Sequence, residues 1–261
     1  MMISRKLELE NLNNTRDLGG MTGAGGRKIV SGRLIRSGHL YFASENDLKT
    51  LAENVHTVID FRTAAEREEK PDPKLGSARE IRLSVLTELT EGVTREEESD
   101  KEAFKRLTLD PELARAHMKK IYSGFPLTDA AKNAYREFFD ILLENESGAV
   151  LWHCTAGKDR AGFAAVMTEE ILGVSKEDIC ADYLATNENI RAEVEQLRDL
   201  LGGSADSSDE AIDYLFTAKK EYLDTVYEVI DKEYGSFDGY LRQALGLDDE
   251  MLNRLRELYL E

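Results

Sequence analysis

Two periodicities divide the chain. In its first half short apolar runs alternate with turn-type residues, whereas in its second half apolar positions recur every three to four residues. Leu7, Leu9 and Leu12 alternate roughly with polar neighbours and predict an edge strand leading into a Gly-Gly turn. Segment 29–37 predicts strand material, and the β-branched run 55–61 (VHTVIDF) predicts a central strand. Pro71 and Pro73 mark a turn, after which 78–85 predicts another strand. The apolar run 149–152 (AVLW), behind Gly148, predicts a buried one.

Helical signals fill the gaps. Ser44 reads as an N-cap with Asp47 at the third helical position, opening a helix to 54. Asp110 and Pro111 open another to about 122, and 129–143 places Tyr135, Phe138, Phe139 and Leu142 on one face. From 161 onward Phe163, Val166, Met167 and Ile171 recur at helical spacing until Gly173 gives a stop signal. Ile179, Tyr183, Ile190, Val194, Leu197 and Leu201 then form one long amphipathic pattern, which GGSADSS (202–208) breaks and 211–234 resumes. The Glu-heavy segment 87–105 reads as a solvated helix or mobile excursion. MTGAGGRK (21–28) lacks the spacing and strand-to-helix context of a nucleotide site and predicts a hairpin turn. Together these elements predict an α/β fold, with a central, mostly parallel sheet of about four to five strands flanked by helices and a helical C-terminal half.

Composition narrows the setting. The 261 residues suffice for a single domain over 1–261 with one ample core. A formal charge of −17 disfavours nucleic acid and repels anionic lipid surfaces, so an anionic ligand must be drawn in by local positive charge. Two cysteines give no disulfide framework and suit a reducing compartment. The first residues hold no apolar stretch long enough for a signal peptide or anchor, so a cytoplasmic protein without membrane insertion is expected; export without a leader would leave no trace of this kind.

Chemistry concentrates in 148–162, GAVLWHCTAGKDRAG. A loop entering a helix directs consecutive N–H groups into one concavity, and the helix N-terminus adds roughly half a positive charge, which suits a phosphate-sized dianion. The same field favours a thiolate, making Cys154 a candidate nucleophile at neutral pH. Gly157 permits close backbone approach, and the planar fork of Arg160 can hold two phosphate oxygens at once. Cys180, in a later helical pattern, reads as packing rather than a redox partner. Asp60 and Arg62 sit at the C-terminal end of the central strand, the edge where open α/β sheets bind ligands.

The HCxxGxxR pattern resembles the signature loop of cysteine-dependent protein tyrosine phosphatases. HCTAGKDRAG is similar to that of a bacterial branch, atypical phosphatases of broad specificity that also carry NxRDxGG near the N-terminus, present here as Asn14, Thr15, Arg16, Asp17, Leu18, Gly19 and Gly20. Segment 58–62 (VIDFR) with Glu66, and YGSFDGYLRQALGL at 234–247, resemble further family motifs. The resemblance implies a tyrosine phosphatase-like fold, Cys154 as nucleophile, and phosphate binding by Thr155, Ala156, Gly157, Lys158, Asp159 and Arg160. It implies that His153 orients the loop and that Arg16, Asp17 and Arg62 brace the site, against the plainer readings of a core histidine and a surface ion pair. Some members carry a two-helix lid; here a lid or an ordinary helical hairpin would occupy about 187–216.

The expected reaction proceeds through a cysteinyl-phosphate and needs neither metal nor cofactor. Its proton donor is open. Many tyrosine phosphatases place it in a Trp-Pro-Asp loop, but the only tryptophan is Trp152, inside the catalytic strand, which leaves Asp159 and Asp60 as candidates. Ala161 stands where relatives usually carry Ser or Thr, which implies slower hydrolysis of the intermediate. Lys158 adds a cation, a feature shared with phosphatases that accept phosphoinositides. The expected partner is a phosphorylated protein, phosphotyrosine favoured, or a phosphoinositide, with phosphate or sulfate able to fill the site. A phospho-ligand binder without catalysis, and sulfur or arsenate chemistry, are the competing readings.

Overall fold

In the computed structural model, which describes residues 4–86, 100–202 and 208–261, strands β1 (Arg5–Lys6), β2 (Arg16–Asp17), β3 (Leu34–Ser37), β4 (Val55–Asp60), β5 (Arg79–Arg82) and β6 (Ala149–His153) form one sheet. The order is β1-β2-β3-β6-β4-β5. β6 lies between β3 and β4 and runs parallel to both. A strand with neighbours on both edges and helices over both faces has no solvent side, which is why AVLWH is buried throughout. β5 (REIR) closes one edge with mostly exposed, charged positions that discourage further pairing. The parallel part thus has four strands, and two-residue antiparallel β1 and β2 bring the sheet to six.

Two expected strands are altered for local reasons. The strand expected over Leu7 to Leu12 does not form, because the Asp47 carboxylate accepts from the N–H groups of Glu10 (2.6 Å) and Asn11 (3.0 Å), donors that a strand neighbour would otherwise need. The strand expected from 29 begins only at Leu34, because Gly32 adopts φ +72°. The hairpin over 21–28 is present as a short 3-10 turn, with Thr22 bridging Lys28.

Alternation along β6 divides two cores. Ala149 and Leu151 join Leu12, Ile35, Leu51 and Val58 under α1 (Glu45–Ala52). Val150 and Trp152 face the larger core. α2 (Ala64–Glu69) follows β4, α3 (Asp100–Leu109) carries the end of the Glu-rich segment, whose part 87–99 lies outside the described residues, and α4 (Pro111–Gly124) starts on the expected Asp110 cap. α5 (Asp129–Glu144) delivers the chain to β6, and α6 (Arg160–Leu172) leaves it. α6 is buried on all sides except at Glu170, so its sequence carries no stripe.

The long pattern beyond Gly173 divides at Ile190 into α7 (Lys176–Asn189) and α8 (Arg191–Gly202). Residues 203–207, most of the GGSADSS break, lie outside the described residues. α9 (Asp209–Phe216) and α10 (Lys220–Tyr234) are separate helices, and Asn187 exchanges two hydrogen bonds with Ala218 in the gap between them. α11 (Phe237–Gln243) and α12 (Asp249–Tyr259) complete the larger core. No helix among the described residues is long and apolar enough to cross a membrane.

Asp47 is the staple of the N-terminal segment. It completes the capping box with Ser44 while holding Glu10 and Asn11. Asp47→Ala is expected to lower stability by about 1–3 kcal/mol in urea titrations, because three half-buried backbone donors lose a charged acceptor together.

Candidate active site

Between β6 and α6 the residues 154–159 form a tight loop whose floor is Cys154, 1% exposed. Gly157 has φ +71°, and a Cβ there would lie 2.6 Å from the Ser37 carbonyl, so the loop rests directly on β3. Three successive carbonyls are turned outward and each is held. His39 N–H donates to Thr155 O (3.0 Å), Asn14 Nδ2 to Ala156 O (2.8 Å), and Arg36 Nη2 to Gly157 O (2.9 Å). In a planar trans peptide the following N–H points the opposite way. Fixing the carbonyls outward therefore turns the N–H groups of Ala156, Gly157 and Lys158 inward, above the sulfur and toward the N-terminus of α6. That array is an anion nest.

Arg160 is 8% exposed and clamped by Glu66, which accepts from Nη1 at 2.6 Å and from Nη2 at 2.7 Å. Nη2 also donates to Thr155 Oγ1 (3.3 Å), whose hydroxyl in turn bonds Glu66 Oε1. Burial alone would raise the Glu66 pKa, but the Arg160 hydrogen bonds and charge bring it down to about 2. Glu66 is placed by its own capping box at the start of α2, through Thr63. Arg160 is thus preset in the protein before a phosphate arrives.

Asp60 is engaged by Arg62. Its carboxylate accepts from the Arg62 backbone N–H (2.9 Å), Nε (3.0 Å) and Nη2 (2.8 Å), and although burial opposes it, Arg62 and His153 hold its pKa below the ordinary value. A carboxylate so held has no proton to give. Arg62 also bonds Asp72, and Asp72 Oδ2 lies 3.3 Å from His153 Nε2. Asp60, Asp72 and His153 cluster within 4.8 Å, but both carboxylates already share one guanidinium, so the set does not fit a metal ion. The group instead supports His153, directly before the nucleophile.

A second buried network supports the other side. Arg36 Nη1 donates to Asp182 (3.0 Å), and Arg16 Nη1 donates to the same carboxylate (3.1 Å) and to the Asp182 carbonyl (2.8 Å). Arg16 therefore acts at one remove, through Asp182 and Arg36, whereas its neighbour in the motif, Asn14, touches the loop. Asp17 does not reach the loop; its carboxylate accepts from the N–H groups of Gly19 (2.9 Å) and Gly32 (2.8 Å) and holds the adjacent turns. Burial pushes the nearby Glu169 carboxyl well above the ordinary range, whereas Arg16 and Arg36, against burial, hold Asp182 below its own.

Lys158 departs from expectation. Its Nζ donates to the Leu215 carbonyl (2.7 Å) near the end of α9 and lies 3.6 Å from Asp159, so its donors face helix carbonyls. Asp159 Oδ1 accepts from Tyr122 OH (2.6 Å), which also bonds Tyr183 OH (2.7 Å), while its Oδ2 accepts no hydrogen bond from the described residues.

A family model described as "Tyrosine phosphatase family" matches residues 7–261. The chain belongs to that family. It is similar to a putative tyrosine-protein phosphatase of Cupriavidus necator, 34% identical over 245 residues that cover 93% of this chain and 85% of the relative. It is also similar to the triple specificity protein phosphatase PtpB of Mycobacterium tuberculosis, 26% identical over 88% of this chain and 91% of the relative. A tyrosine-protein phosphatase of Nostoc commune is 26% identical over 87% of this chain and 74% of its own length. The chain is accordingly a cysteine-dependent tyrosine phosphatase, acting on a phosphorylated substrate.

Sequence reasoning missed Arg36, Asp72, Asp182 and Tyr122 as parts of this tyrosine phosphatase site. Two of them left a signal. Arg36 is a charge inside the apolar strand LIRS, and Asp182 is a charge on the buried stripe Ile179–Tyr183–Thr186 of α7.

Arg36 acts by positioning the loop. Arg36→Met is expected to lower kcat for p-nitrophenyl phosphate about 100-fold by releasing the Gly157 carbonyl, with partial recovery in Arg36→Lys and thermal melts confirming a folded protein. Unchanged kcat would show that the loop holds itself. Glu66 makes a pH prediction. Its folded pKa near 2 lies below the ordinary 4.5, so its stabilisation is complete above pH 4.5 and vanishes as pH falls toward 2. Glu66→Gln should be less stable than wild type at pH 6, and the two unfolding curves should converge in acid.

Proposed function

We propose that the chain hydrolyses phosphotyrosine monoesters through a cysteinyl-phosphate. The observation that carries this reading is the set of three loop carbonyls bonded from outside by His39, Asn14 and Arg36, which by peptide planarity turns the N–H groups inward above a buried Cys154 and beside a pre-clamped Arg160. The loop amides and Arg160 hold the three equatorial oxygens, and the thiolate attacks in line. A P–S bond forms as the P–O bond to the leaving group breaks. Asp159, in its protonated form, gives its proton from Oδ2 to the departing oxygen. Water then attacks phosphorus, Asp159 takes its proton, and the P–S bond breaks to restore the thiolate and release phosphate. Inorganic phosphate or sulfate would occupy the same nest.

Two features favour protein over lipid substrates. The charge of −17 opposes docking to anionic membranes, and the Lys158 ammonium is engaged with the α9 carbonyls. The name of the PtpB relative records triple specificity, so phosphoserine, phosphothreonine and phosphoinositide hydrolysis are the secondary activities to assay. Lys158 also supports reading 187–216 as a lid, because it ties the end of α9 to the phosphate loop. The charge and the cysteine count support a cytoplasmic setting.

Cys154→Ser should abolish phosphate release from every substrate while still binding a phosphotyrosine peptide. Asp159→Asn should slow phenyl phosphate, a poor leaving group, by about 10²–10⁴-fold and p-nitrophenyl phosphate much less. A Cys154→Ser protein that still turned over would reject the covalent route. Equal effects of Asp159→Asn on both substrates would reject Asp159 as the donor.

A further inference from the structure

Beside the phosphate loop lies a cavity of about 320 Å³ that touches it at Thr155 and Ala156. Its other walls come from the segment before the NTRDLGG motif, the residues after β3, and helix α8. Leu12, Ile190, Val194 and Leu197 make much of the wall apolar. Three residues that line the cavity carry polar atoms that are unusual in one respect. Asn14 Oδ1, His39 Nδ1 and Glu193 Oε2 are buried and have no hydrogen-bond partner in the protein.

Asn14 Oδ1 and Glu193 Oε2 are acceptors. Asn14 donates through Nδ2 to Ala156 O, which fixes its amide so that Oδ1 is the free atom, and Asn14 itself is 5% exposed. Glu193 accepts from Asn13 Nδ2 at 2.7 Å through Oε1 only. Burial, together with Lys70 and Arg62, lowers the His39 pKa to about 4, so its ring is neutral at pH 7 and brings no charge to the cavity. The nearby Lys70 ammonium lies over the Phe42 ring, 6.0 Å from its centroid. An apolar passage with two unmatched buried acceptors, one of them a carboxylate, calls for a ligand with an aliphatic stem and several N–H donors.

We propose that this cavity is a specificity subsite for an arginine side chain flanking the phosphorylated residue of the substrate. Its methylenes lie along Leu12, Ile190 and Val194, and its guanidinium draws Glu193 Oε2 and Asn14 Oδ1, which lie behind the cavity surface in the free protein, into hydrogen bonds. Arginine fits better than lysine because it carries five donors in a plane and its charge is always present. The chain's strongly negative charge attracts such a peptide. An acyl chain would leave every acceptor unmatched, and an acidic flanking residue would meet Glu193 with like charge. The inference rests on the phosphopeptide reading above.

The test is a set of phosphotyrosine peptides in an alanine background, with one arginine moved stepwise through the flanking positions, assayed beside p-nitrophenyl phosphate. At one position arginine should raise kcat/KM about tenfold over alanine, mainly through KM, with lysine intermediate and leucine and glutamate without gain. Glu193→Gln should bring the arginine-to-alanine ratio at that position to within about twofold, and Glu193→Asp should retain part of it. A gain for leucine equal to that for arginine, a preference for glutamate, an arginine preference unmoved by Glu193→Gln, or no preference at any position would each overturn the proposal; in the last case solvent meets these acceptors. Calorimetric binding of the same peptides to Cys154→Ser reads the subsite without turnover. If p-nitrophenyl phosphate is not hydrolysed but the arginine peptide still binds best, the catalytic reading fails and the subsite stands.

Discussion

The site depends on where three carbonyl groups point. A loop of small residues over a cysteine has no reason of its own to present its amides to a dianion; the opposite arrangement, carbonyls inward, would repel it. His39, Asn14 and Arg36 decide the matter from outside by giving each of Thr155, Ala156 and Gly157 a donor. Because the peptide unit is rigid, each outward bond sets one inward N–H. The preorganisation that electrostatic catalysis requires is therefore built into the sheet edge, the N-terminal motif and β3 before substrate binds. Gly157 is the geometric condition for this, since any side chain there would collide with the strand that carries Arg36.

Holding such a loop brings cationic groups into a dry interior, and the fold balances them locally. Arg36 and Arg16 share Asp182, with the Glu169 carboxyl, pushed up by burial, beside them. Arg62 is matched by Asp60 and Asp72, and Arg160 by Glu66. Each of these pairs has hydrogen-bonding geometry that a buried charge needs to be tolerable. The consequence for function is selective. Arg36, Arg62 and Arg16 are committed to scaffolding, whereas Arg160 keeps its guanidinium beside the nest, so an incoming phosphate competes only with Glu66 and Thr155 for its donors. A protein with net charge −17 thereby holds an anion site without a basic surface.

How much of this was legible beforehand follows from what a sequence pattern records. Periodicity records burial, so β4, β6, α1 and α5 were found nearly to the residue, with Ser44 and Asp110 marking helix starts. Spacing records a local loop, so Cys154, Gly157 and Arg160 were found together. Neither records which distant side chain a polar group chooses. Asp60 reads as a site acid by its place on the strand end, yet Arg62, two residues on, takes both of its oxygens. The Lys158 side chain reads as an added cation beside the phosphate by its place in the loop, yet its ammonium reaches α9 while its backbone N–H stays with the loop. Asp17 sits in the family motif but holds the turns at Gly19 and Gly32 and pairs with Arg5 on β1. The apparent single helix after Gly173 divides at Ile190, and the exchange between Asn187, close before that point, and Ala218 is a tertiary contact that no local period contains.

The same logic bears on how the helices after α7 relate to the chemistry. Lys158 is two residues from Arg160 and one from Asp159, and its bond to the Leu215 carbonyl makes the end of α9 part of the loop's support. Asn13, one residue before the asparagine that holds the Ala156 carbonyl, donates to Glu193 on α8. The two helices of 187–216 thus meet the phosphate loop from two sides, each through a residue adjacent to one that sets the loop's geometry. A displacement of α8 or α9 would break or stretch these bonds, and so would be felt at Lys158 and at Asn13, next to Asn14. The geometry that presents the loop amides is for that reason tied to helices distant in the chain, and not to the strand and loop alone.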